Sequence, residues 1–148
     1  MKGVFIIIPA YNEAKIIGKI LNEILNENRN YNIVVVDDGS IDETAEIASK
    51  HNIYVLKHFV NLGQGASLKT GFDFALKKKA KYVVTFDADG QMAVNEINDL
   101  IKRLKNQNVE VVLGSRFLKK KPINLSIIKM IVLKVALMFT KLTIKLNI

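Results

Sequence analysis

The chain has 148 residues, 49% of them apolar, and only two prolines. That is the size of one domain able to bury its own core, and it excludes a disordered chain. It has no cysteine and only His51 and His58 as histidines, which excludes disulfides, thiolate sites and histidine-rich metal sites. Any bound metal must then rest on oxygen ligands, a set that suits magnesium, calcium or manganese. The net charge of +8 is unevenly spread. Residues 1–117 hold 15 basic and 14 acidic side chains, while 118–148 hold seven lysines and no acid. The basic tail is either a solvated face or a surface for anionic partners such as a membrane or a phosphate-bearing acceptor.

Apolar runs and helical patterns alternate along the chain. Residues 3–8 read as a buried strand, and 12–27 carry a helical stripe of Ile16, Ile17, Ile20, Leu21, Ile24 and Leu25. Residues 32–36 are β-branched and predict a second strand, closed by the turn Asp37-Asp38-Gly39-Ser40. Ser40 with Glu43 fits a capping box for a helix over 42–50. A third strand is expected at 53–57, a helix at 66–79 and a fourth strand at 81–86. A helix at 94–106 and a fifth strand at 109–113 follow. The lysine-rich stretch 118–125 then leads into a helix over 126–146. Strands alternating with helices predict an α/β fold, a mostly parallel sheet covered on both faces. Ligands of such sheets bind beyond the carboxyl ends of the strands.

Polar clusters fall at those ends. Asp87-Ala88-Asp89 sets two carboxylates two residues apart after a buried strand, so in extended backbone they converge. A divalent ion would relieve their repulsion and bridge the phosphates of a nucleotide, with Gln91 as a further oxygen ligand. Alone, such a pair is more often a solvated acidic turn. Asp37 and Asp38 end the second strand, where a carboxylate can accept from a ribose hydroxyl or a base N–H, or simply form a turn. In Pro9-Ala10-Tyr11-Asn12-Glu13, Tyr11 could stack on a base or pack, and Asn12 could cap the next helix. The loop Asn61 to Ala66 holds Gly63 and Gly65 before a helix bearing Lys69, which could face an anionic donor. Arg116, after the fifth strand, could pair with a diphosphate or stand on the surface. His51 and His58 lack the sequence neighbours of a catalytic triad. A phospho-acceptor receiver would place its acidic pair after the first strand, and a nicotinamide-binding domain would place a glycine fingerprint there; neither is present.

In order and spacing, IPAYNE (8–13), VVVDDGSIDET (34–44), NLGQGASLKTGF (61–72), FDADGQ (86–91) and GSRF (114–117) resemble family 2 glycosyltransferases of the GT-A type. The closest flavour is that of the dolichyl- and undecaprenyl-phosphate sugar transferases. The resemblance implies a nucleotide-diphospho-sugar transferase fold and inverting transfer from a UDP- or GDP-sugar, with Mg2+ or Mn2+ as cofactor. It implies nucleoside contacts at Pro9, Tyr11, Glu13, Val36 and Asp38, with Asp37 nearby. Asp87 and Ala88 would lie near the ribose and phosphates, Asp89 and Gln91 at the metal, and Arg116 at a diphosphate or acceptor phosphate. Asp89 and Arg116 are thus the expected catalytic pair. Residues 1–117 are expected to form the donor domain and 118–148 the start of an acceptor region. No Asp or Glu follows Glu110, so a donor-binding module without turnover stands as the alternative to a working transferase. A polyprenyl phosphate is the expected acceptor, with the chain cytoplasmic or peripheral at the cytoplasmic membrane face. Nucleic acid is not an expected partner, and self-association is left open.

Overall fold

A computed structural model describes residues 3–28, 30–89, 92–107 and 109–114. The chain divides into two compact units, Met1–Val112 and Leu113–Ile148. The first contains all the described strands and helices: β1 (Val4–Ala10), α1 (Ile17–Glu27), β2 (Asn32–Asp37), α2 (Thr44–Ser49), β3 (Tyr54–Lys57), α3 (Gln64–Lys77), β4 (Tyr82–Thr85) and α4 (Asn95–Asn106). The strands form one sheet in the order β3-β2-β1-β4, and every pairing is parallel.

The central strands explain why their sequences are continuous apolar runs rather than alternating ones. Along β1, Ile6 and Ile8 join one core with Ile17, Ile20, Leu21 and Ile24 of α1 and Ile97 and Ile101 of α4. Phe5 and Ile7 point to the other face and pack with Val34, Val36 and Ala75 of α3. A strand buried on both faces has no position for a polar side chain. On the second face α3 lies so close to β1 that a Cβ at Gly71 would collide with the Ile7 side chain.

Two expectations need correction. Residues 109–113 form no strand; Val111 is 70% and Leu113 81% exposed. A β-branched run becomes a strand only by pairing, and no described strand pairs with this one. The helix expected from residue 12 begins at Ile17, because the amides of residues 12–14 are bound by side chains of the loop after β2 and the start of α2. The expected tail helix, 126–146, lies outside the described residues. Among the described residues no helix is long and apolar enough to cross a membrane.

Candidate active site

The carboxyl ends of β1, β2 and β4 and the start of α3 surround a cleft of about 380 Å3. It is lined by Pro9 and Ala10 at the end of β1, Tyr11 and Glu13 after it, Asp38 after β2, and Asp87, Ala88 and Asp89 after β4. Asn61, Gly63, Gln64 and Ser67 close the remaining wall. Seven of the residues expected from sequence therefore meet: Pro9, Tyr11, Glu13, Asp38, Asp87, Ala88 and Asp89. Parallel register brings them together, since Ala10 sits opposite Asp37 and Ile7 opposite Thr85.

Three other expected residues do not line the cleft. Val36 is fully buried in the core against α3, so its side chain cannot contact a nucleoside. Asp37 is also fully buried. Its Oδ1 accepts the Ser40 N–H at 3.2 Å, and the Lys57 ammonium stands 3.8 Å from Oδ2. Strand alternation turns it away from the cleft that Asp38 faces. Lys69 lies on the exposed side of α3, 2.6 Å from Asp73. Gln91 and Arg116 lie outside the described residues.

The loop that carries Tyr11 owes its shape to distant side chains. The amides of Asn12, Glu13 and Ala14 donate to Ser40 Oγ at 2.9 Å, Thr44 Oγ1 at 2.8 Å and Asp42 Oδ2 at 3.1 Å. In return Asn12 Oδ1 accepts the Ile41 N–H at 3.0 Å. Neither capping role expected from sequence is therefore filled: Ser40 does not cap α2 and Asn12 does not cap α1. These side chains clasp one loop to the other.

Asp38 is the hub of the opposite wall. Its Oδ1 accepts from His58 Nδ1 at 2.7 Å and from the Leu62 N–H at 3.0 Å, and its Oδ2 from the Gly63 N–H at 2.7 Å. Burial alone would raise its pKa. The hydrogen bonds from His58 and from the Leu62 and Gly63 amides outweigh burial and hold it below the ordinary carboxylate value. A depressed folded-state pKa adds stability above the unfolded value and loses it as pH falls through the folded one. Asp38→Asn is therefore expected to cost about 2 kcal/mol near neutral pH and progressively less once the wild-type carboxyl protonates in acid. Urea midpoints for both chains across that range check this; a gap that does not narrow in acid refutes it.

At the third corner, burial raises the Glu13 pKa, and the charges of Asp89 and then Asp42 raise it further. Glu13 and Asp89 thus share one negative field. Gln64 Nε2 donates to Asp87 Oδ1 at 3.0 Å. No cluster of three His, Cys, Asp or Glu side chains able to hold a metal occurs among the described residues. Two carboxylates at an open cleft fit a magnesium-like ion that takes its other ligands from water and substrate phosphates. They do not fit an all-protein cage.

Sequence reasoning missed His58, Gln64 and the clasp of Ser40, Asp42 and Thr44. The signal for His58 was the register: Asp37 pairs with Lys57, so the next residues, Asp38 and His58, must be neighbours.

A parallel sheet with an acidic cleft at its carboxyl edge is the architecture of the GT-A glycosyltransferases, and solved structures of that class superpose on this chain. S. aureus TarS matches with a TM-score of 0.63 at 25% identity, covering 85% of this chain and 39% of that one. A mannosyltransferase from Pyrobaculum calidifontis, solved with GDP-Man and Mn2+, matches with a TM-score of 0.56 at 27% identity, covering 69% and 32%. The sequence profile of glycosyl transferase family 2 matches residues 5–143, and the chain belongs to that family. Among curated relatives, the UDP-N-acetylglucosamine–dolichyl-phosphate N-acetylglucosaminyltransferase of Methanococcus voltae is 37% identical over 132 residues, 78% of this chain and 52% of that protein. The chain spans about half the length of the first curated relatives it matches.

Proposed function

We propose that this chain binds a nucleotide-diphospho-sugar together with Mg2+ or Mn2+ and serves inverting transfer of the sugar to a polyprenyl phosphate. The observation that carries the reading is the convergence of Tyr11, Asp38, Asp87 and Asp89 on one cleft at the carboxyl edge of the sheet. Relatives that act on dolichyl phosphate and a neighbour solved with GDP-Man and Mn2+ support it.

In this reading Tyr11, 45% exposed at the cleft, offers a ring face to the base. Asp38 and the 61–63 turn form the nucleoside wall. Asp87 and Asp89 hold the ion, with Gln91 expected beside them. When bound, the ion supplies positive charge for the departing diphosphate. Gln64 would exchange its bond to Asp87 for one to a phosphate oxygen. Lys69, on the first turns of α3, can reorient toward an anion because an exposed ion pair such as Lys69–Asp73 holds it by only about 0.5 kcal/mol.

Titration of the chain with UDP- and GDP-sugars, with and without Mn2+, tests the reading. Saturable binding of one of them, strengthened by manganese, is expected; binding of neither refutes it. Turnover with a polyprenyl phosphate separates a working transferase from a donor-binding module.

A further inference from the structure

We infer that His58 is a positioning residue of the donor cleft: bridging Asp38 and Thr70, it fixes the carboxylate that holds the 61–63 turn in place. The inference rests on the donor-binding reading above and extends it to a side chain that does not line the cleft.

His58 follows β3, and only 11% of its side chain is exposed. Both ring nitrogens are engaged: Nδ1 lies 2.7 Å from Asp38 Oδ1 and Nε2 lies 2.9 Å from Thr70 Oγ1. An ionised Asp38 only accepts, so Nδ1 carries the proton of the first bond. Nε2 then accepts the Thr70 hydroxyl proton when the ring is neutral. The backbone adds a third restraint, since the His58 N–H donates to Asp37 O at 2.9 Å.

The same carboxylate also accepts the Leu62 and Gly63 amides. Thr70 lies on α3, six residues after the helix begins at Gln64, about 9 Å along its axis. Helix α3 is therefore tied to the end of β2 at two separated points, the turn that precedes it through Asp38 and its own second turn through His58. The turn held in this way presents Asn61 and Gly63 to the cleft, and the next residue, Gln64, donates to Asp87. A continuous path of hydrogen bonds and chain runs from Thr70 through His58, Asp38, Gly63 and Gln64 to Asp87. Without the imidazole, a nearly buried carboxylate keeps its charge but loses its side-chain donor. It must turn toward another partner or take up a proton, and the turn hung on it shifts with it.

The experiment is calorimetric titration of the full chain with UDP and with GDP in the presence of Mn2+. The variants are His58→Phe, Thr70→Val and Thr70→Ser. For the nucleotide that the wild type binds, His58→Phe is expected to raise Kd by about tenfold or more. Thr70→Val removes only the hydroxyl, at nearly constant volume, and is expected to weaken binding by a smaller factor. Thr70→Ser restores the hydroxyl and is expected to restore the affinity. A purely structural role for this packing would not produce recovery with serine, which has the hydroxyl but lacks the methyl group. If His58→Phe does not fold by circular dichroism, the Thr70 pair decides. If the wild type binds and the folded variants keep Kd within twofold, the inference is overturned while donor binding stands. The same holds if serine fails to recover what valine loses. If the wild type binds neither nucleotide, the donor reading falls and takes the inference with it.

Discussion

Replacing Asp89 by alanine is expected to weaken manganese-dependent nucleotide binding by about a thousandfold, while leaving the fold intact. Asp89 is exposed, and Asp87 beside it is partly buried; together they are the two carboxylates that β4 brings to the cleft. An ion held by two protein carboxylates loses half of its protein charge when one is removed. That loss corresponds to about 4 kcal/mol. Removing an exposed side chain costs the fold little, so urea midpoints should stay within about 0.5 kcal/mol of wild type. The neighbouring Glu13 gives a readout that needs no nucleotide. After burial, the charge of Asp89 is the largest cause raising its pKa, so Glu13 should titrate lower in Asp89→Ala. Carboxyl titration by NMR and calorimetry with Mn2+ measure the two effects. Asp99→Ala, on the exposed side of α4, should change neither. Intact manganese-dependent binding in Asp89→Ala would remove the metal assignment.

Gly39→Ala is expected to lower stability by about 3–4 kcal/mol. Gly39 has φ +72, and a Cβ there would stand 2.5 Å from the Val60 carbonyl carbon and 2.8 Å from the Asn61 amide nitrogen. Left-handed backbone costs a residue with a side chain about 1–2 kcal/mol. Overpacking against main chain adds about 1–3 kcal/mol, because backbone cannot rotate away as a side chain can. Gly63 separates the two costs. It has φ +92 with nothing within 4 Å of the added carbon, so Gly63→Ala should show only the conformational part. A loss in Gly39→Ala no larger than about 1–2 kcal/mol, the cost of left-handed backbone alone, would refute the close approach of the β2 turn to residues 60–61. Gly39→Ala should also impair nucleotide binding, since Asn61 lines the cleft.

The order and type of the described elements could be read from sequence because burial is local in its signature. Ile17, Ile20, Leu21 and Ile24 fall at helical spacing, and they are the buried face of α1. The run Val4 to Ile8 lacks alternation because both its faces are covered. The convergence of Tyr11, Asp38, Asp87 and Asp89 was legible for the same reason, since a parallel sheet gathers strand ends on one edge. What could not be read depends on partners far along the chain. Val109, Val111 and Leu113 have a strand's composition, but pairing decides whether a strand forms. Val36 and Asp37 stand next to Asp38 in sequence, yet both are fully buried, Val36 in the core against α3 and Asp37 on the opposite face of the strand. Ser40 and Asn12 are good capping residues by type, but a cap and a long-range clasp draw on the same oxygen atoms. Only the folded register says which amide arrives first.

The clasp also bears on how such a cleft diversifies. The path of the loop after β1 is written less in its own residues than in Ser40, Asp42 and Thr44, which bind its amides from outside. Amides are the same whatever side chain they carry. Tyr11 and Ala14 can therefore be exchanged without redrawing the loop, and a descendant could change what it stacks on a base while inheriting the scaffold unaltered. The converse follows. Thr44 is fully buried and does not line the donor cleft, yet it is a position at which a silent-looking exchange would reshape recognition.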